Sequence, residues 1–327
     1  MKQTALHDVH AKAHEAKMVE FGGWHMPVQY GPILDEVRCV REAAGLFDLS
    51  HMGRLRLTGP DATRLADSLL TNYVAKIPVG AIRYSLFCKE DGFPIDDLLV
   101  YREEDAVYLV VNASNTGACI SWVQSHMKGF DAQLEDQTEA TDMLAVQGPR
   151  SLEIVTKACS DLNTKDGTLG SLGYYRFCFG TFAGIENVRI SRTGYTGENG
   201  FELYFPTAES ERVWKELLRL GEAEGLRPIG LGARDVLRLE AGMPLYGHEI
   251  DEAHHPLEAG LAFGVSFAEE KGDWIGREAL KRFADHPTRR LVGLKTDGKR
   301  VPRQDTPVFS GETGAGKSIL IDALALA

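Results

Sequence analysis

Residues 84–113 read YSLFCKEDGFPIDDLLVYREEDAVYLVVNA. Three runs rich in β-branched and aromatic residues, YSLFC (84–88), DLLVYR (97–102) and AVYLVVNA (106–113), are separated by short polar stretches. Glu-Asp-Gly at 90–92 is a hairpin signal between the first two. Working outward, RLRLTG (54–59), MLAVQG (143–148), NVRISR (187–192) and FELYF (201–205) read as further strands. Helical patterns lie between them. The clearest is TAESERVWKELLRLGEAEG (207–225), where Thr207 can cap and Val213, Trp214, Leu217 and Leu218 form one apolar face before Gly221. Strands and helices are mixed and hairpins are signalled, so the fold class is α+β: largely antiparallel sheets with packed helices, not a doubly wound parallel sheet.

Composition bounds the function. The 327 residues, 43% hydrophobic and 25% charged, suit one or two globular domains with a sizeable core. Lys and Arg number 36 against 47 Asp and Glu, a net charge of −11, which argues against nucleic acid or an anionic membrane as partner. Cys39, Cys88, Cys119, Cys159 and Cys178 are odd in number, scattered and never spaced C-x-x-C, so neither a disulfide framework nor a thiolate zinc site is suggested. The opening MKQTALHDVHAKAHEAKM has no apolar h-region, and no uninterrupted apolar run reaches about eighteen residues. A cytoplasmic protein is expected.

Three stretches carry candidate chemistry. In GFPIDDLLVYR the hairpin leads into a strand bearing Asp96 and Asp97. Adjacent strand residues point to opposite faces, so only one of the pair enters a given pocket, and the other meets water or a backbone amide. The alternative is a turn-capping pair at a strand start. In ISRTGYTGENGFELYF, Phe201, Leu203 and Phe205 share one face, leaving Glu202 and Tyr204 on the other beside a loop holding Gly194, Gly197 and Gly200. Those glycines would let a ligand approach the backbone; the alternative is a long hairpin with a solvated Glu. In GLGARDVLRLEAGMPLYG (230–247), Arg234 and Arg238 lie one turn apart on a helix, suited to a carboxylate or a multi-acceptor heterocycle, or else paired on a wet surface with Asp235 and Glu240. His7, His10 and His14 also fall at helical spacing, but no metal site is expected there.

Together, FGGWHMPVQY (21–30), GLFDLSHMG (45–53), DGFPIDDLLVY (91–101), VVNAS (110–114), AVQGP (145–149), GYTGENGFE (194–202) and GLGARDVLRLEAGMPLYG resemble the aminomethyltransferases of the glycine cleavage system, the T-protein family, over residues 1 to about 310. The resemblance implies a folate-binding domain at 1–283, the start of a C-terminal β-barrel domain at 284–310, and tetrahydrofolate as co-substrate with no metal. It implies transfer of the one-carbon unit from the aminomethyl-lipoyl arm of the H-protein, with release of ammonia and formation of 5,10-methylenetetrahydrofolate. The lipoylated H-protein is the direct partner; the P-protein and L-protein act indirectly. Asp97 resembles the family's active-site carboxylate, Glu202 and Arg234 resemble residues that bind the pterin, and Tyr84, Asn112 and Tyr195 resemble pocket-lining positions.

Residues 311–318, GETGAGKS, match the P-loop pattern G-x-x-x-x-G-K-[ST], and the segment 311–327 resembles the Walker A opening of a bacterial SMC-like DNA-repair ATPase. That motif works between a strand and a helix of a parallel α/β domain, so it is expected to be a fragment out of context and not a nucleotide site, and the barrel to be incomplete. A non-catalytic folate-binding module of the iron–sulfur assembly type remains the alternative, a nucleotide-binding protein a third. Folate-dependent demethylating oxidases would need a flavin domain, and the N-terminal sequence shows no G-x-G-x-x-G.

Overall fold

A computed structural model describes residues 1–293 and the backbone of two short paired strands, Pro307–Val308 and Ile319–Leu320. The P-loop-like string and most of 284–310 lie outside the described residues. Each strand read from the sequence is present. Ile82–Cys88, Pro94–Arg102, Ala106–Val111, Gly53–Thr58 and Gln133–Asp136 form, in that order, a five-stranded antiparallel sheet. A seven-stranded sheet runs Cys159–Ser160, Phe177–Phe182, Ile185–Ser191, Gly200–Pro206, Thr141–Gln147, Gly45–Asp48, Arg227–Pro228, with only the last pair parallel.

Period-two alternation sorts the side chains of both sheets into layers. In the smaller sheet Leu57, Val100, Leu109 and Val111 pack outward against the helices Ala62–Leu69 and Thr116–His126. In the larger sheet Leu144, Val146, Phe201, Leu203 and Phe205 pack outward against Ser151–Thr156 and Ser210–Gly221. The opposite faces meet: Tyr101, Tyr108 and Val110 of one sheet share a cluster with Met143, Ala145 and Tyr204 of the other. Helices Ile33–Glu42 and Leu231–Glu240 close this inter-sheet layer with Val37, Val40, Ala233 and Leu237.

Thr207 does not cap the long helix. It opens a 3₁₀ turn, Thr207–Glu209, ahead of Ser210–Gly221, and its hydroxyl donates to the Glu139 carbonyl and to Asp142 Oδ1, both at 3.1 Å. The three N-terminal histidines take separate partners: His7 meets His25 at 2.8 Å, buried His10 meets Asp48 Oδ2 at 3.0 Å, and His14 Nε2 accepts from Trp214 at 3.1 Å. Beyond the sheets, Ile250, Leu261, Trp274 and Leu280 pack on Leu86 and Cys88. The division read at 283/284 falls inside the last turn of the helix Arg277–Asp285. Arg289 then ties the following segment back to both carboxylate oxygens of Glu258 at 2.8 Å. Among the described residues no helix is long and apolar enough to cross a membrane.

Candidate active site

A cavity of about 260 Å³ lies where the two sheets face each other, and Asp97, Tyr84, Asn112, Glu202, Tyr195 and Arg234 all line it. Three elements bring them there. Asp97 sits opposite Leu86 in the hairpin register, on the same face as Leu99 and Tyr101 and therefore toward the larger sheet. Tyr84 Oη donates to Asp97 Oδ2 at 3.0 Å, and Asn112 Nδ2 to Asp97 Oδ1 at 2.8 Å. Asp96 turns to the other face and is fully buried. Its carboxylate accepts the Asn112 backbone N–H and the side-chain amides of Asn112 and Asn115 at 2.7–2.8 Å. The division expected of the pair holds, with Asp97 in the pocket and Asp96 on a backbone amide. Burial pushes both carboxyls above the usual aspartate range.

Glu202 enters from the larger sheet. The Thr193 hydroxyl donates to its Oε2; Ser191 Oγ lies 2.8 Å from Thr193 Oγ1, and Tyr204 Oη donates to Oε2 at 3.4 Å after meeting Tyr101 Oη at 2.7 Å. One carboxylate oxygen is thus held by hydroxyls, which leaves the other for the cavity. Burial raises this carboxyl too, opposed by the Thr193 hydrogen bond and the charge of Arg234. Glu202 is not a solvated hairpin residue: it is 5% exposed.

Arg234 comes from the helix Leu231–Glu240 and lies with its guanidinium 4.4 Å from the centre of the Tyr195 ring. Tyr195 is itself fixed, its hydroxyl donating to the Pro244 carbonyl. Among the described residues no side chain or carbonyl hydrogen-bonds the Arg234 guanidinium. Arg238, one turn on, does not reach the cavity: it is fully buried against Asp235 and Glu249 at 2.8 and 2.7 Å. The glycines also have another reason than ligand approach. A Cβ at Gly194 or Gly200 would sit 1.9 or 2.2 Å from the side-chain amide of Gln147, which fills the space under the loop and donates to the Thr193 carbonyl at 3.1 Å.

Several lining residues are not among the candidates named from the sequence. Met52, Val110 and Met243 give apolar walls, Phe263 packs on Tyr84 with ring centres 5.3 Å apart, and Tyr175 holds a left-handed φ of 56°. His51 lies fully buried beside Phe21, with no hydrogen-bond partner on either ring nitrogen among the described residues. Burial, with Arg234 and Arg54 nearby, pushes its pKa down to about 3, so the ring is neutral. A smaller pocket of about 120 Å³ shares Met52, Asn112 and Arg234 with the main cavity, and another of about 270 Å³ shares Gly194 and Met243.

The arrangement sets two carboxylates and an unpaired guanidinium around an apolar-walled space, which suits a flat ligand rich in donors and acceptors and a reaction in which cationic charge develops. The family model described as the GCVT N-terminal domain matches residues 6–269. The aminomethyltransferase of Moorella thermoacetica is 48% identical over 98% of this chain and 84% of its own length; that of Symbiobacterium thermophilum is 44% identical over 97% and 84%. The crystal structure of glycine cleavage system aminomethyltransferase T from Bartonella henselae superposes with a TM-score of 0.84 at 32% identity, over 95% of this chain and 82% of that one. With a family model spanning most of its length and relatives this similar over nearly all of it, the chain belongs to the aminomethyltransferases of the glycine cleavage system, the T-protein family.

Proposed function

We propose that the protein takes the aminomethyl group from the lipoyl arm of an H-protein, releases ammonia and the dihydrolipoyl thiol, and delivers the carbon to tetrahydrofolate as 5,10-methylenetetrahydrofolate. The observation that carries this reading is the convergence of Asp97, Glu202 and unpaired Arg234 on one cavity. Tetrahydrofolate, as co-substrate, supplies the nitrogen nucleophiles that accept the carbon. Its flat, donor- and acceptor-rich head group fits the residues present: Glu202 offers a carboxylate oxygen, Arg234 a guanidinium fork, and Met52, Val110 and Leu261 apolar walls. Asp97 supplies the fixed negative charge that favours the iminium-like carbon as amine and thiol leave it. Tyr84 and Asn112 hold that carboxylate, and Tyr195 holds Arg234. Much of the acceleration then comes from positioning.

On this reading the P-protein and L-protein act only indirectly, the reaction runs in the cytoplasm without a metal, and the P-loop-like tail has no part. Mixing the full chain with aminomethyl-loaded H-protein and tetrahydrofolate, and following ammonia and methylenetetrahydrofolate together, tests it. Both products in equal amounts are expected. Tetrahydrofolate binding without either product would favour the non-catalytic folate module instead.

A further inference from the structure

The face of the Pro94–Arg102 strand turned away from the cavity holds a buried carboxylate that the transfer does not touch. Asp96 is wholly inaccessible, yet among the described residues no lysine or arginine pairs with it. Four donors surround it: the Asn112 backbone N–H at 2.8 Å, Asn112 Nδ2 at 2.8 Å, Asn115 Nδ2 at 2.7 Å and the Cys119 thiol at 3.6 Å. Asn112 Nδ2 has two protons and stands within 2.8 Å of one oxygen from each aspartate, so a single amide bridges the pair.

We propose that Asp96 is a positioning residue for the transfer reaction: through Asn112 it fixes the Asp97 carboxylate, and as a buried anion it makes Asp97 the member of the pair that exchanges a proton. The hydrogen-bond inventory assigns the proton. Every group around Asp96 donates and only the thiol can also accept, weakly, so a carboxylic acid there has nowhere good to donate. Asp97 differs, because its Oδ2 faces the Tyr84 hydroxyl, which can turn and accept. Burial raises both carboxyls, and the charge of Asp97 raises Asp96 further. The remaining titratable or charged groups facing the pair are Tyr84, Tyr195 and Arg234 on the cavity side, and Cys119 and Tyr246 behind Asp96. Of these only Arg234 carries charge at neutral pH, and it favours ionised Asp97. Asp96 is the carboxylate that one amide bridges to Asp97, so its charge, when it is ionised, bears directly on Asp97.

This rests on the functional reading above, so the test has two independent readouts. One is the pH profile of transfer from about pH 5 to about pH 8; the other is a carboxyl-carbon NMR titration of Asp97, assigned against Asp97→Asn. In Asp96→Asn the Asp97 titration and the acid limb of kcat should both move down by about one pH unit, with tetrahydrofolate affinity kept. Asn115→Ala, which removes one donor to Asp96 and touches nothing at Asp97, should move both in the same direction by less. A uniform loss of rate at every pH, or an Asp97 titration unmoved in both variants, overturns the proposal. A moved titration in a chain that transfers nothing keeps the hold of Asp96 on Asp97 but sinks the functional reading, and with it the role in transfer.

Discussion

Arg234 and Arg238 leave the same helix one turn apart, and their surroundings could hardly differ more. Arg238 is fully buried with Asp235 on Nε at 2.8 Å, and with Glu249 and the Met243 carbonyl on Nη1 at 2.7 and 3.1 Å. Arg234 has an aromatic ring at 4.4 Å and open cavity in front of it. A buried charge paired with two carboxylates is architecture, even with Nη2 left without a partner among the described residues: it fixes the 242–249 segment to the helix. A half-buried charge with no hydrogen-bonded partner among the described residues costs some free energy in the empty protein, and that cost is recovered when a complementary ligand arrives. Glu202 repeats the lesson within one carboxylate, with Oε2 held by hydroxyls and the other oxygen facing the cavity.

The comparison breaks if the two arginines respond alike. Arg238→Met should lose about 3 kcal/mol of unfolding free energy, toward the low end for a broken buried pair because Asp235 is partly exposed. Denaturant melts of the full chain measure it, and the folded fraction should bind tetrahydrofolate normally. Arg234→Met should cost much less than Arg238→Met, because the cation it removes has no hydrogen-bonded partner among the described residues and loses only its attraction to Glu202, Asp97 and the Tyr195 ring. Equal destabilisation by both substitutions would end the distinction.

Transfer sharpens it next. Asp97→Asn keeps shape and removes charge, so turnover should fall by about 10²-fold or more while tetrahydrofolate still binds. Asp96→Asn near neutral pH should lose far less; equal losses at both positions would count against Asp97 as the reacting carboxylate. Smaller again, Glu202→Ala and Arg234→Met should each weaken tetrahydrofolate by roughly 1.5–3 kcal/mol, read by calorimetric titration. An unchanged affinity in Glu202→Ala would remove that residue from the ligand's contacts.

Much of the layered fold is legible because alternation with period two is a local property: Phe201, Leu203 and Phe205 can be assigned to one face and Glu202 and Tyr204 to the other without any knowledge of packing. For Asp96 and Asp97 the same rule says that one goes in, but not which. Register decides that, by setting Asp97 across from Leu86 and facing the larger sheet. The two arginines share a helix face in the sequence, and only the 243–249 segment folding back onto Arg238 separates them. The roles of Phe263, Met243 and Tyr175 stay invisible for the same reason: they sit in a short 3₁₀ turn or in loops, placed by tertiary contacts such as Tyr84 against Phe263. The loop glycines are legible as a requirement for space, yet at Gly194 and Gly200 the space is taken by Gln147, and Gly197 holds a left-handed φ of 79° against Ala241. Thr207 looks like a cap because its residue type fits, but Asp142, distant in sequence, takes its hydroxyl.

The smallest expected effect concerns stability, and it sets function against folding at a single atom. Burial raises the Asp97 carboxyl above its unfolded value of 3.8, so the folded chain holds a proton there that the unfolded chain has already released. Where the folded state binds more protons, stability falls as pH rises. Here the fall begins near the unfolded value and is complete once the pH passes the raised one. The amide introduced by Asp97→Asn cannot ionise; its oxygen still accepts from Asn112, and its nitrogen can donate to the Tyr84 oxygen once that hydroxyl turns. Asp97→Asn should therefore melt like the wild type near pH 4 and above it near pH 8, by on the order of 1–2 kcal/mol after allowance for the cavity's access to water. Thermal melts of both proteins across that range measure it as roughly 2–4 °C. The gap should open with rising pH; a gap that closes as pH rises, or a variant less stable than the wild type at pH 8, would mean that the ionised Asp97 is held favourably in the empty cavity. Arg234 would then already have its counter-ion, and the contrast with Arg238 would be one of degree.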